Sequence, residues 1–134
     1  METKALYNIA ENKGITIDFL PLPENTAMSL KMGEKFFIAI DKAVIAGSAA
    51  ERVALAHELG HIFTNAFYSP ISKISERIQP EQLAERWAIN TLVPFDELKK
   101  AVKSDGDDIH NLSEHFGVTA DFLQKALKYY FERA

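Results

Sequence analysis

The chain has 134 residues, 47% apolar and 25% charged, which is the usage of one globular domain with a modest core. It contains no cysteine, so disulfides and thiolate metal sites are excluded, and its net charge of −4 argues against general affinity for nucleic acid. The first residues lack the plan of a signal peptide, and no apolar run approaches a membrane span. We therefore expect a cytoplasmic protein of one domain.

The first third of the sequence predicts one helix followed by a short antiparallel sheet. The helix covers residues 3–13 and stops at Gly14, and strands are predicted at 15–20, 26–32 and 35–40. The last two strands flank Gly33-Glu34, which is a hairpin signal. The last strand, continuing to Asp41, is the most strongly apolar of the three. It either lies at the edge of a cleft, where it binds peptide by strand addition, or is a plain core strand.

The segment after this strand predicts a buried helix that carries the sequence His57-Glu58-Leu59-Gly60-His61. Ser48 and Glu51 form a capping-box pattern, so the helix is predicted from Ser48 to about Asn65. Apolar or small residues occur on both of its sides, which indicates a helix buried between layers. An accidental match on such a helix would leave two satisfied core histidines.

The spacing of this motif, HExxH, suits metal chemistry. Residues four apart project from nearly the same side of a helix, so His57 and His61 can both bind one metal at about 2.0–2.1 Å. Glu58 is rotated by roughly 100° from His57, off the ligand axis, where a general base for water belongs. A catalytic zinc then needs one more protein ligand and an open fourth position.

Residues 66–79 predict a polar and mobile connection beside this motif, and Tyr68 lies in it. Its hydroxyl is a candidate donor to a transition-state oxyanion; the alternative is an ordinary surface or core tyrosine.

The following segment, from Pro80 to Pro94, predicts a second helix with proline at its first position. Glu81, Ala84, Glu85 and Ala88 share one face of it, and the alanines permit close packing on the first motif helix. Glu81 is the candidate third ligand, and Glu85 is placed to accept a hydrogen bond from the outer nitrogen of a ligand histidine. From spacing alone, four other residues compete with Glu81: Glu76, Glu85, His110 and His115.

The C-terminal third predicts helices at residues 95–102, 109–116 and 120–131. The last two, joined at Gly117, resemble a helix-turn-helix. From Asp105 onward there are three basic residues against six acidic ones, so we expect a packing or partner-docking unit with no direct contact to nucleic acid.

The motifs of the two helices together resemble the ImmA/IrrE metallo-endopeptidases. The resemblance rests on Ala-His-Glu-Leu-Gly-His at 56–61, then Glu81-x-x-Ala84-x-x-Trp87-Ala88-x-x-x-Leu92-x-Pro94. It also includes Gly-Ile-x-Ile at 14–17 and Phe-Gly-Val-Thr at 116–119, so it spans nearly the whole chain. The position of Glu85 departs from the family, in which Asn, Asp or Arg often stands there.

The resemblance implies an α+β, zincin-like domain over residues 1–134, with the sheet and metal helices in 1–94 and a helical subregion in 95–134. It implies one Zn²⁺ per chain on His57, His61 and Glu81, with Glu58 as the catalytic acid and base. The implied substrate is a protein partner, often a helix-turn-helix transcriptional repressor of a phage or mobile element. The alternative is a non-catalytic anti-repressor in which the metal is structural; an intact Glu58 favours the enzyme.

Overall fold

Three strands and six helices make up the part of the chain that the computed structural model describes, residues 1–43, 45, 47–69 and 71–132. In chain order they are α1 (Thr3–Asn12), β1 (Thr16–Phe19), β2 (Ala27–Met32), β3 (Lys35–Ile40), α2 (Ser48–Phe63), α3 (Ile74–Leu92), α4 (Phe95–Asp105), α5 (Ile109–Phe116) and α6 (Ala120–Glu132). The α+β class and the order of elements are confirmed. No helix within these ranges has both the length and the apolar run needed to cross a bilayer.

The sheet is mixed, whereas the sequence indicated a wholly antiparallel one. Its strand order is β1-β3-β2, with β1 parallel to β3 and β2 antiparallel to β3. The connection from β1 to β2 carries Pro21 and Pro23, and it places β2 on the far side of β3. The apolar strand β3 is therefore central, and the interpretation of it as an edge strand is wrong. The two edge strands of the sheet are β1 and β2.

The helix α2 begins where the sequence predicted, but without the predicted capping box. Gly47 occupies the N-cap position with φ 90°, and no side chain caps the helix. Glu51 instead accepts a hydrogen bond from the Tyr7 hydroxyl at 2.7 Å, which ties α2 to α1. The helix contacts α1, α3 and both strands of the hairpin, so the prediction of burial between layers is confirmed.

The helix α3 starts six residues earlier than its sequence indicated. The predicted polar connection ends at Lys73, whose N–H donates to the Glu76 carboxylate at 3.4 Å, and Pro80 lies inside the helix. Proline lacks an N–H, so the ladder omits one bond at Pro80, a loss that the bonds around it offset. The sequence placed Pro80 at the start of the helix, but Pro80 lies inside it, where the missing hydrogen bond is tolerated.

The two motif helices approach through small residues. A Cβ built on Gly60 would lie 2.4 Å from the backbone oxygen of Ala84, and both Ala84 and Ala88 are fully buried. Farther along, the rings of Phe63 and Trp87 stack with centroids 5.1 Å apart. The predicted packing of α3 on α2 through Ala84 and Ala88 is confirmed.

The C-terminal helices have the predicted helix-turn-helix connection. Asp108 caps α5 by accepting from the N–H groups of His110 and Asn111, and Gly117 ends it in the left-handed conformation, φ 66°. Arg52 of α2 donates to the Gly117 carbonyl, and one apolar core includes residues from α1 to α6. The division into residues 1–94 and 95–134 stays a prediction.

Candidate metal centre

The side chains of His57, His61 and Glu81 converge on one point between α2 and α3. The Glu81 carboxylate lies 2.6 Å from His57 Nε2 through one oxygen and 3.3 Å from His61 Nε2 through the other. One ligand atom from each residue falls within 4.8 Å of the others. Three residues separated by up to 24 positions thus present two nitrogens and a carboxylate to one centre.

Both histidines are oriented by their outer nitrogens. Asn65 takes a left-handed backbone, φ 51°, and turns the chain so that the Ala66 carbonyl accepts from His61 Nδ1 at 2.6 Å. His57 Nδ1 lies 3.1 Å from Glu85 Oε2, which is the contact expected of Glu85. With Nδ1 engaged, each ring presents Nε2 to the shared centre, which is the usual arrangement around a ligated metal.

The cluster is held by charge in the structure. Burial lowers the pKa of His57, but its hydrogen bonds to Glu81 and Glu85 outweigh that effect and raise the pKa to about 10. Burial also lowers the pKa of His61, but the bonds to Glu81 and to the Ala66 carbonyl, together with the Glu58 charge, outweigh burial, so that pKa is raised. The bonds from both histidines hold the pKa of Glu81 far below its usual range.

Glu58 lies beside the cluster without belonging to it. It is 9% exposed, and burial raises its pKa, against the opposing charges of His57 and His61 and a hydrogen bond from Ser29. A carboxylate with a raised pKa is a stronger base, which is the property that a general base near neutral pH requires.

Tyr68 reaches the same cluster from the connection between α2 and α3. Its hydroxyl donates to Glu81 Oε1 at 2.6 Å, and its ring centroid lies 6.1 Å from that of His61. That bond, with burial, raises the pKa of Tyr68 to about 12, so the hydroxyl stays a donor at neutral pH. The role of Tyr68 as an oxyanion donor stays a prediction.

A cleft of about 470 Å³ opens onto the cluster. It is lined by residues 27–30 of β2 and by Tyr68, Arg77 and Glu81. His57, Glu58 and His61 also line it. The cluster and Glu58 therefore face a cleft that is bordered by an edge strand of the sheet.

The other candidate ligands lie outside the cluster. His110 Nε2 pairs with Glu114 at 3.1 Å, and His115 Nδ1 lies 3.6 Å from Asp105. Glu76 accepts from the N–H of Lys73, the residue before α3. These contacts leave Glu81 as the carboxylate that joins the two histidines.

Three residues of the site were not singled out from the sequence. Ser29 bonds to Glu58 from β2, the Arg77 guanidinium lies 5.2 Å from the Tyr68 ring centroid, and Lys125 Nζ lies 3.7 Å from Glu85 Oε1. No spacing rule links Ser29 and Lys125 to the motif, because tertiary packing brings their elements to it. Arg77 lies four residues before Glu81 on α3, but the sequence placed the helix start at Pro80 and so assigned Arg77 to the connection.

The donor set fits a divalent metal. Two neutral imidazole nitrogens and one carboxylate oxygen are the usual protein ligands of a catalytic zinc, and they leave a position open. Glu81 is 38% exposed toward the cleft, so that position would be accessible to substrate.

A family model described as IrrE N-terminal-like domain (Peptidase_M78) matches residues 10–128. The match covers both motif helices, the sheet and most of α6. No curated protein and no solved structure matches the chain.

Proposed function

The chain belongs to the Peptidase_M78 family, and from that premise we propose that it is a zinc-dependent endopeptidase that hydrolyses a peptide bond in a protein partner. The family match suggests a metallopeptidase. The observation that carries the proposal is Glu58, a buried carboxylate with a raised pKa that stands beside the His57–His61–Glu81 cluster but is not part of it. A purely structural metal site has no use for such a group.

In this proposal the residues divide the work. His57, His61 and Glu81 would hold a divalent metal, which would supply the Lewis-acid chemistry that polarises the scissile carbonyl and activates water. Glu58 accepts the proton of the attacking water and returns it to the leaving amine. Tyr68, kept protonated, donates a hydrogen bond to the carbonyl oxygen as negative charge develops on it.

Substrate binding is assigned to the outer edge of β2. The hairpin pairs Met32 with Lys35, and in an antiparallel ladder hydrogen-bonded and non-bonded pairs alternate. The N–H and C=O groups of Ala27, Ser29 and Lys31 therefore point away from β3. An extended peptide that added to this edge would run along the cleft wall, past Glu58 and the metal ligands.

The proposed substrate is a helix-turn-helix repressor of a phage or mobile element, as the resemblance implies. We propose that the enzyme cleaves it in the cytoplasm. From Asp105 onward acidic residues outnumber basic ones six to three, which supports protein docking on the C-terminal helices in preference to contact with nucleic acid.

The test compares wild type with Glu58→Gln on a helix-turn-helix repressor encoded beside the gene. The substitution keeps size and hydrogen bonding but removes the base. We expect cleavage to fall by about 10²–10⁴-fold, with zinc content and repressor binding unchanged. A denatured, fluorescently labelled protein serves as a second substrate that does not depend on the choice of repressor.

The alternative function makes the opposite prediction. If the protein is a non-catalytic anti-repressor, wild type cleaves neither substrate, and Glu58→Gln relieves repression as well as wild type does. Cleavage by wild type that survives Glu58→Gln would instead remove Glu58 from the mechanism.

A further inference from the structure

A second cavity, of about 720 Å³, lies between α3 and α6 and reaches the metal cluster from another direction. His57 and Glu81 border both cavities. The wall contributed by α6 includes Lys125, Lys128 and Tyr129. The C-terminal helices thus approach the candidate metal site.

The closest link across this cavity passes through Glu85, whose two oxygens serve different partners. Oε2 lies 3.1 Å from His57 Nδ1, and Oε1 lies 3.7 Å from Lys125 Nζ. Oε1 is buried and has no hydrogen-bond partner among the described residues, so the Lys125 ammonium is the charge that compensates it. Lys125 itself is mostly exposed to solvent, so this ion pair contributes little to stability and acts mainly on the position of the Glu85 carboxylate.

The charge balance agrees with this geometry. Burial raises the pKa of Glu85, but His57 and Lys125 together outweigh burial and lower it.

We propose that Lys125 is a positioning residue for the metal site: by compensating Oε1 of Glu85, it holds the other oxygen against His57 and so fixes the ring that presents Nε2 to the metal. The inference rests on the proposed metal centre, and it joins the helix-turn-helix unit to that centre through three side chains. Anything that draws Lys125 away from Glu85, including a partner docked on α6, would weaken metal binding.

The expected effect is moderate. Losing a direct partner of a ligand histidine typically weakens metal binding by about 10–100-fold, and Lys125 acts one contact farther out, so we expect a loss of about three- to tenfold. Its side chain is 64% exposed, so removing its charge should leave the unfolding temperature of the metal-free protein nearly unchanged.

The experiment measures the zinc dissociation constant of the full chain by competition with a chelator. Lys125→Met keeps the length of the stem and removes the charge, and Lys125→Arg restores a charge. The matched control is Lys128→Met, on the same helix and cavity wall, because Lys128 forms no ion pair with any residue in the described ranges. We expect weaker binding in Lys125→Met alone.

A double-variant cycle tests the route. In a Glu85→Gln background, Lys125→Met should have no further effect, since the carboxylate through which it acts is gone. Unchanged zinc affinity in Lys125→Met, or an equal loss with and without Glu85, would overturn the proposal. Failure of the metal centre itself is distinguishable, because wild type would then bind zinc no better than His61→Ala.

Discussion

Replacing Gly60 with alanine tests how closely the two metal-bearing helices approach. The added Cβ would lie 2.4 Å from the backbone oxygen of Ala84, 2.9 Å from its Cα and 3.0 Å from its carbonyl carbon. Ordinary contact begins near 3.4 Å, so the helices must separate by about 1 Å at this point. The obstructing atoms are backbone, and they cannot rotate aside.

Two opposing effects determine the stability of Gly60→Ala. Alanine gains about 1 kcal/mol of helix propensity over glycine. Overpacking in a tight interface costs about 1–3 kcal/mol, and the backbone clash places this site at the upper end. We expect a net loss on the order of 1–2 kcal/mol, which lowers the unfolding temperature by about 3–8 °C.

Metal binding should weaken by a comparable free energy. His57 and His61 lie on α2 and Glu81 on α3, so a separation of about 1 Å moves the third ligand far beyond the roughly 0.2 Å that coordination tolerates. We expect a rise in the zinc dissociation constant of about tenfold or more, which is about 1.4 kcal/mol or more and is similar to the effect of losing a hydrogen-bond partner of a ligand. Chelator competition measures it, and the fluorescence of Trp87, stacked on Phe63 of the other helix, reports the separation.

Adding Ala84→Gly provides the control. It removes only a side chain, so it should not restore zinc affinity to Gly60→Ala. Restoration by that change, or a Gly60→Ala protein as stable and as tight for zinc as wild type, would refute the backbone approach.

Two further predictions concern the ligands. His61→Ala should reduce zinc from one ion per chain to a small fraction, as measured by metal analysis of the purified protein; full retention would contradict the ligand set. The metal-free protein should lose stability as pH rises, because the raised pKa of His57 gives a contribution that is fully present below its ordinary value of 6.5 and is lost through about 10. Zinc replaces that proton, so the metal-loaded protein should keep its stability over the same pH range. Thermal unfolding of both forms measures this. If the unfolding temperatures of the metal-free and metal-loaded proteins change with pH in the same way, the charged cluster is contradicted.

Much of the site could be predicted from the sequence, because most of its residues lie close together in the chain. His57, Glu58 and His61 lie within five residues of one helix, and the face that carries Glu81 also carries the alanines that bring it close. Glu81 itself could be chosen over other acids only through the resemblance, since ligand choice depends on how two helices cross.

The errors arose where tertiary contacts override local signals. Pro80 has the pattern of the first residue of a helix, yet α3 begins six residues earlier, at Ile74. Glu51 fits a capping box but bonds to Tyr7, 44 residues away. The order of strands depends on where the chain crosses after β1, and residues 35–40 give the same apolar pattern at either position. The place of Lys125 depends on the docking of α6, which no short motif encodes.

The free edge of β2 has a consequence for the behaviour of the protein in concentrated solution. An edge that can accept a peptide strand can also accept the same edge of another copy, which is a route to aggregation. The strand is six residues long, and Lys31 lies in its outward-pointing register. Lysine on a short edge disfavours pairing between like copies, since two such strands bring equal charges together. The charge of Lys31 would then reduce self-association, and it would also restrict which peptides can bind in the cleft.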